Sequence, residues 1–158
     1  GRTGGWKGRG RIERGAIAAM AHPVYICRGC GLWNEPRWDA VKSKPMPPPA
    51  CLGCHRMDFD FFRSKGEAKY WAKLQQRQRA GLIEELEREV RIPLLTVDHR
   101  TGKPVEWATY VADFRYRDLE SGDRKVEEFK PSGGMSYDAQ LKIRCCEAMG
   151  IPVAIVTG

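Results

Sequence analysis

From residue 64 onward the apolar positions follow two periods, and each period names an element. In "SKGEAKYWAKLQQRQRAG" (64–81), Ala68, Trp71, Leu74 and Gln78 recur at helical spacing. Ser64 is a good N-cap, Glu67 three residues on fits a capping box, and Gly81 stops the helix. The period then shortens to two. "EVRIPLLTV" (89–97) reads as a strand interrupted at Pro93, "HRTGKP" (99–104) as a turn, and "EWATYVADFRYRD" (106–118) as a long strand. "ESGD" (120–123) is a hairpin turn leading to the partner strand "KVEEFK" (125–130). The helical period returns in "SYDAQLKIRCCEAMG" (136–150), with Tyr137, Leu141, Cys145 and Ala148 as its apolar stripe and Lys142 and Arg144 off it. "IPVAIV" (151–156) is apolar throughout, as a covered strand is. The predicted order is α-β-β-β-α-β, an α/β (α+β) arrangement with helices over a mixed sheet.

Upstream the periodicity fails, and cysteines take its place. Cys27-Arg-Gly-Cys30 and Cys51-Leu-Gly-Cys54 are two C-x2-C pairs separated by 20 residues. Two residues between cysteines let a tight turn aim both sulfurs at one tetrahedral ion, and Gly31 after the first pair eases that turn. Four thiolates leave no open position, so the predicted ion is a structural Zn²⁺. His55 beside Cys54 is a minor alternative ligand. Trp33 and Trp38 lie between the pairs and either cover the metal site or stack on bases, with packing favoured for at least one. "PMPPPA" (45–50) reads as a stiff extended loop. Three zones follow: a Gly/Arg-rich disordered tail over residues 1–21, a zinc ribbon or knuckle over 22–60, and the α/β domain over 61–158. Met20 is the first methionine, and the arm before it is read as a bland tail or upstream read-through.

Charge separates the zones further. Residues 1–63 carry 11 Lys/Arg and 5 Asp/Glu, whereas 64–158 carry 16 and 15. A basic first half on a near-neutral second half is the footprint of a partner that is an anionic polymer, nucleic acid first. No apolar run approaches the ~18 residues of a membrane helix, and no signal-peptide h-region is visible. The expected setting is therefore a reducing cytoplasm, where six cysteines serve as metal ligands or free thiols. Cys145 and Cys146 are read as core thiols.

The charges inside the two hairpin strands fit no simple surface. In 106–118, Ala108, Tyr110, Ala112, Phe114 and Tyr116 share one face, and Thr109, Val111, Asp113 and Arg115 the other. A carboxylate in the middle of so apolar a strand is costly unless it is paired or binds a metal. In the partner strand Val126, Glu128 and Lys130 share one face, leaving Glu127 and Phe129 on the opposite one. Asp113, Glu128 and Lys130 are therefore expected to cluster, with Glu127 as the bland edge residue. Glu67 lies on the core-facing side of its helix and either joins the two carboxylates, completes the capping box, or does both.

The set of Glu67 on a first helix, Asp113 in a strand and Glu128-Phe129-Lys130 in the next resembles the PD-(D/E)xK nuclease superfamily, with its restriction-endonuclease-like fold. "SKGEAKYWAKLQQRQRAGLIEELEREVRIPLL" and "TYVADFRY" followed by "VEEFK" are similar to a phage-associated family of small nucleases within it. The resemblance covers about residues 61–156. It departs at Ala112, where the superfamily's name places a proline. It implies metal-dependent hydrolysis of phosphodiester bonds. Hard oxygen ligands suit Mg²⁺ or Mn²⁺, with Asp113 and Glu128 as direct ligands. The Phe129 backbone carbonyl is implied as a third, and Glu67 as acting through water or at a second metal. Lys130 would orient the attacking water.

The resemblance further implies DNA as substrate, in branched or junction form as for Holliday junction resolvases, with a homodimer and a bacterial or phage-infected cytoplasm as the setting. RNA stays open. Arg37, Lys42 and Lys44 in the cysteine zone and Lys142 and Arg144 on the second helix are the candidate nucleic-acid contacts. The segment 130–138 is a glycine-rich loop beside the site. The competing reading is a non-catalytic, zinc-containing nucleic-acid-binding or adaptor protein.

Overall fold

The computed structural model describes residues 22–131 and 134–158; the tail at 1–21 and Ser132–Gly133 of the glycine-rich segment lie outside the described residues. The cysteine zone opens with β1 (Val24–Cys27), followed by β2 (Trp33–Asn34), β3 (Arg37–Asp39), β4 (Lys44–Met46) and β5 (Phe59–Phe62). β1 is central, antiparallel to β2 on one side and β5 on the other, while β3 and β4 form a separate hairpin. The start of "PMPPPA" is thus strand, with Pro45 opposite Trp38. The expected boundary at 60/61 falls inside β5, whose residues 59–62 pair with β1.

The α-β-β-β-α-β order is present in the second zone: α1 (Lys65–Arg79), β6 (Ile83–Val97), β7 (Pro104–Asp118), β8 (Arg124–Lys130), α2 (Tyr137–Ala148) and β9 (Val153–Thr157). The four strands lie in the order β6-β7-β8-β9, antiparallel except for the parallel β8–β9 pair. The described residues form a mixed α+β fold with two helices and a four-cysteine cluster. Among the described residues, no helix is long and apolar enough to cross a membrane.

Three sequence expectations change. β6 is fifteen residues long and runs straight through Pro93, which pairs with Thr109. It is an edge strand, and at an edge a proline can turn its missing N–H side away from the ladder. β9 is apolar but not covered: as the opposite edge it leaves Ala154 and Ile155 exposed. The stripe of α2 is displaced. Ile143 and Cys146 are buried with Cys145 and Met149 packed beside them, while Tyr137, Leu141 and Ala148 are exposed.

Two apolar clusters hold the sheet to the helices. Val90, Ile92, Leu94, Tyr110, Ala112, Val126 and Val153 pack with Ile143 and Cys146 of α2. Phe114, Tyr116, Ile83 and Phe129 pack with Leu74, Tyr70 and Trp71 of α1. The expected row Tyr110–Ala112–Phe114–Tyr116 is buried, but it changes partner helix between Ala112 and Phe114. Opposite that point, Glu89 of β6 takes a left-handed φ of 53°. A smaller cluster of Val24, Phe62 and Ala68, with Ile26 and Trp71 against it, joins the cysteine zone to α1.

Candidate metal and acid sites

The two cysteine turns repeat each other bond for bond. Cys27 O accepts from Gly31 N at 2.8 Å, and Cys51 O accepts from His55 N at 2.9 Å. Within each turn an amide donates to the first sulfur: Gly29 N to Cys27 Sγ at 3.3 Å and Gly53 N to Cys51 Sγ at 3.4 Å. The residue after each second cysteine is left-handed, Gly31 at φ 74° and His55 at φ 61°. His55 thus holds the position of a turn-closing residue. The four sulfurs lie within 4.8 Å of one another. A tetrahedron with arms of ~2.3 Å has edges of about 3.8 Å, close to the Cys27–Cys54 and Cys30–Cys51 separations of 3.4 and 3.5 Å. Cys27, Cys30, Cys51 and Cys54 can therefore hold a metal such as zinc.

Sequence reasoning missed Asn34, which is buried and ties the two turns together. Its Nδ2 donates to Leu32 O at 2.8 Å and toward Cys51 Sγ at 3.7 Å, and its Oδ1 accepts from Leu52 N at 3.1 Å. Neither tryptophan is buried over the cluster, contrary to the favoured packing role: Trp33 is 38% and Trp38 52% exposed.

The second site lies where the β7–β8 ladder stops. Pairing runs from Arg117↔Arg124 to Phe114↔Glu127 and goes no further. At the next level the Asp113 carboxylate enters the ladder, and Phe129 N donates to Asp113 Oδ2 at 2.7 Å. In a strand the N–H and C=O of one residue face the same neighbour. The Phe129 carbonyl therefore also opens toward the gap that Asp113 fills. Glu128 is buried, accepting from Tyr110 Oη at 2.6 Å and from Lys130 Nζ at 2.8 Å.

Glu67 arrives from α1. Ser64 Oγ accepts from Glu67 N at 3.1 Å, so the N-cap is real. Gly66 allows the helix to come this close, since a Cβ there would stand 3.1 Å from Phe129 Cζ. Burial and then the Asp113 carboxylate push Glu67 up to about 7, against the opposing charges of Arg88 and Arg63. Burial and then Glu128 push Asp113 up to about 6, opposed by the Phe129 amide, Lys130 and Arg63. Glu67, Asp113, Glu128 and Lys130 thus share one electrostatic neighbourhood. The three acids are more widely spaced than the sulfurs: among the described residues only the cysteines close to within 4.8 Å as a set. This donor set suits a hard cation that keeps part of its water shell, bound directly by one or two carboxylates.

Glu127 corrects the sequence reading. It is 8% exposed, and its two oxygens accept from Tyr70 Oη and Tyr116 Oη, both at 2.7 Å. Burial and then Glu127 push both phenols up. Arg88 was also missed. Its guanidinium lies 3.9 Å from the Phe62 ring centroid, donates to Phe61 O at 2.6 Å and pairs with Asp60 at 3.5 Å, so it joins β6 to β5 beside Glu67. The expected basic contacts fall on two elements. Arg37, Lys42 and Lys44 belong to the exposed β3–β4 hairpin. On α2, Arg144 is exposed, while Lys142 is half-buried and pairs with Asp138 at 3.1 Å.

Among known proteins, the chain matches a family described as "Protein of unknown function (DUF1064)" over residues 55–148. The match begins just after Cys54, so it omits all four cysteines and includes Glu67, Asp113, Glu128 and Lys130. No curated protein and no solved structure matches the chain. With more than half its length inside the match, the chain belongs to the DUF1064 family.

Proposed function

We propose that the chain is a metal-dependent nuclease that hydrolyses phosphodiester bonds in nucleic acid, DNA first, on a restriction-endonuclease-like core. The observation that carries this reading is the open ladder at Asp113, with Glu128, Lys130 and Glu67 gathered around it. Packing acids together at a break in a sheet raises their proton affinity and weakens the sheet; a cation among them relieves the repulsion. Asp113 and Glu128 would hold Mg²⁺ or Mn²⁺ directly with the Phe129 carbonyl, and Glu67 would join through water or a second ion. When bound, the cation acidifies a water and offsets charge on the scissile phosphate.

The remaining work falls to side chains. Lys130, now closed on Glu128, orients the attacking water and faces the phosphoryl oxygens. Glu67, whose carboxyl titrates near neutrality, can accept or release a proton. In the net reaction a water oxygen adds to phosphorus, one P–O ester bond breaks, and the departing oxygen takes up a proton. Zinc in the cysteine module would be structural, since four sulfurs leave no open position. Arg37, Lys42, Lys44, Lys142 and Arg144 are the proposed phosphate contacts. Branched or junction DNA, cut by a homodimer, is the finer form of the proposal.

The test is incubation of the chain with plasmid, branched DNA and RNA in Mg²⁺ or Mn²⁺. We expect metal-dependent cleavage, reduced roughly a hundredfold or more by Asp113→Asn and by Lys130→Ala. Undiminished cleavage by either protein would sink the assigned site. The second reading is a non-catalytic nucleic-acid-binding or adaptor protein; against it stands the intact Asp113, Glu128 and Lys130 set, which a degenerate scaffold need not keep. It predicts nucleic-acid binding that survives Asp113→Asn and no cleavage with either cation.

A further inference from the structure

A cleft of about 450 Å³ separates the first cysteine turn from α1. Arg28 and Trp33 stand on one wall; Trp71, Gln75 and Arg79 stand on the other. The α1 residues recur every fourth position, and Glu67 is the preceding member of that row. Residues four apart are neighbours on one helix face, so this wall continues the line that begins at the acid cluster. At 1.5 Å per residue, Gln75 is about 12 Å along the axis from Glu67.

The cleft's chemistry is mixed in a specific way. Trp33 belongs to none of the three apolar clusters and keeps an indole surface in solvent. Gln75 offers both a donor and an acceptor. Arg79 is an exposed cation in the last turn of α1, and Arg28 is held in place by Asp58 at 3.1 Å and Asp60 at 2.9 Å. Asp60, the acid in the cleft, is itself paired with Arg28 and Arg88, so it does not repel an anion as a free carboxylate would. A flat apolar platform, an amide and two guanidinium groups are what an unpaired nucleotide requires: a ring to stack on, a partner for the base edge, and charge for the phosphate. A duplex keeps its bases stacked inside and cannot present one to such a cleft without unpairing it.

We propose that this cleft binds single-stranded nucleic acid, stacking an unpaired base on Trp33 while Arg79 and Arg28 hold its phosphates. The substrate class that follows, nucleic acid with an unpaired segment leading to the acid cluster, rests on the nuclease reading; the binding itself does not.

The test uses the full zinc-loaded chain carrying Asp113→Asn, without magnesium. Its probes are a fluorescein-labelled oligothymidylate of about 12 nucleotides and a blunt duplex of the same length. We expect the single strand to bind at least about tenfold more tightly than the duplex and to quench tryptophan emission. Trp33→Ala and Arg79→Gln should each weaken single-strand binding about tenfold and leave the duplex affinity unchanged. Both positions are exposed, and equal zinc content and thermal midpoint verify that the variants fold. Equal affinity for the two probes, or wild-type single-strand affinity in Trp33→Ala, overturns the cleft. Cleavage by the unsubstituted chain in Mg²⁺ is scored separately. Single-strand selectivity without cleavage keeps the cleft and removes the nuclease; cleavage without selectivity removes the cleft alone.

Discussion

Adjacent glutamates in β8 have opposite surroundings. Glu128 meets Tyr110 and Lys130, and Glu127 meets Tyr70 and Tyr116. Glu127 therefore ties β8 to both α1 and β7. Glu127→Ala leaves the buried Tyr116 hydroxyl and the half-buried Tyr70 hydroxyl without their acceptor, and we expect it to destabilise the fold by about 2–4 kcal/mol in urea unfolding. Glu127→Gln, which keeps one carbonyl acceptor, should lose less; equal losses would contradict the two-hydroxyl account. Glu67 and Asp113 make a second residue-level prediction. Their carboxyls sit near 7 and 6 in the folded chain, against about 4 when unfolded. Between about pH 4 and 7 the folded state holds more protons, so metal-free stability falls as pH rises, and the penalty is complete above about pH 7. Solvent at this part-open site screens the effect to the order of 1–2 kcal/mol. Glu67→Gln should therefore raise the thermal midpoint above pH 7 and leave it unchanged at pH 4; a pH-independent difference would refute this.

Helix α1 is seated by its smallest residue. Gly66 lets the first turn lie against the Phe129 ring, which brings Glu67 over the broken ladder. Gly66→Val would lift that turn, and we expect a loss of about 1–3 kcal/mol from overpacking, read by thermal unfolding. Magnesium affinity should weaken with it; an unchanged affinity would separate helix seating from the site. Elements whose period was intact were legible in the sequence: both helices, β7, β8 and their turn. The first half of β6, Ile83–Arg88, was not, because left-handed residues at Glu85 and Glu89 and a bulge after Glu84 break its alternation. The phase of α2 was misread because Tyr137 and Leu141 are apolar yet exposed. Asp113, Glu128 and Lys130 could be found because alternation within a hairpin is local. The Tyr70 partner of Glu127 could not, since it lies 57 residues away and joins Glu127 only through packing.

At the scale of the whole molecule, the cysteine zone and the α/β zone share their side chains. Val24 and Phe62 pack with Ala68, and Arg88 reaches from β6 to β5. The sequence divides the chain at 60/61, and loss of zinc on Cys27→Ser without unfolding of residues 64–158 would support two separable modules. Shared packing instead predicts that Cys27→Ser, or zinc removal, lowers the thermal midpoint of the entire chain in one transition, with one metal per chain in the intact protein. Two resolved transitions, the later one at the original midpoint, would restore the separable view. The strand pairings also constrain how the chain can be shortened. The family match runs from His55 to Ala148, which includes β5 and β8 but neither β1 nor β9. Cut to that segment, the chain would present β5 and β8 as raw edges with unpaired backbone groups, the usual template for edge-to-edge aggregation. Residues 55–148 alone are therefore expected to self-associate in gel filtration, through strand edges that β1 and β9 cover in the full chain.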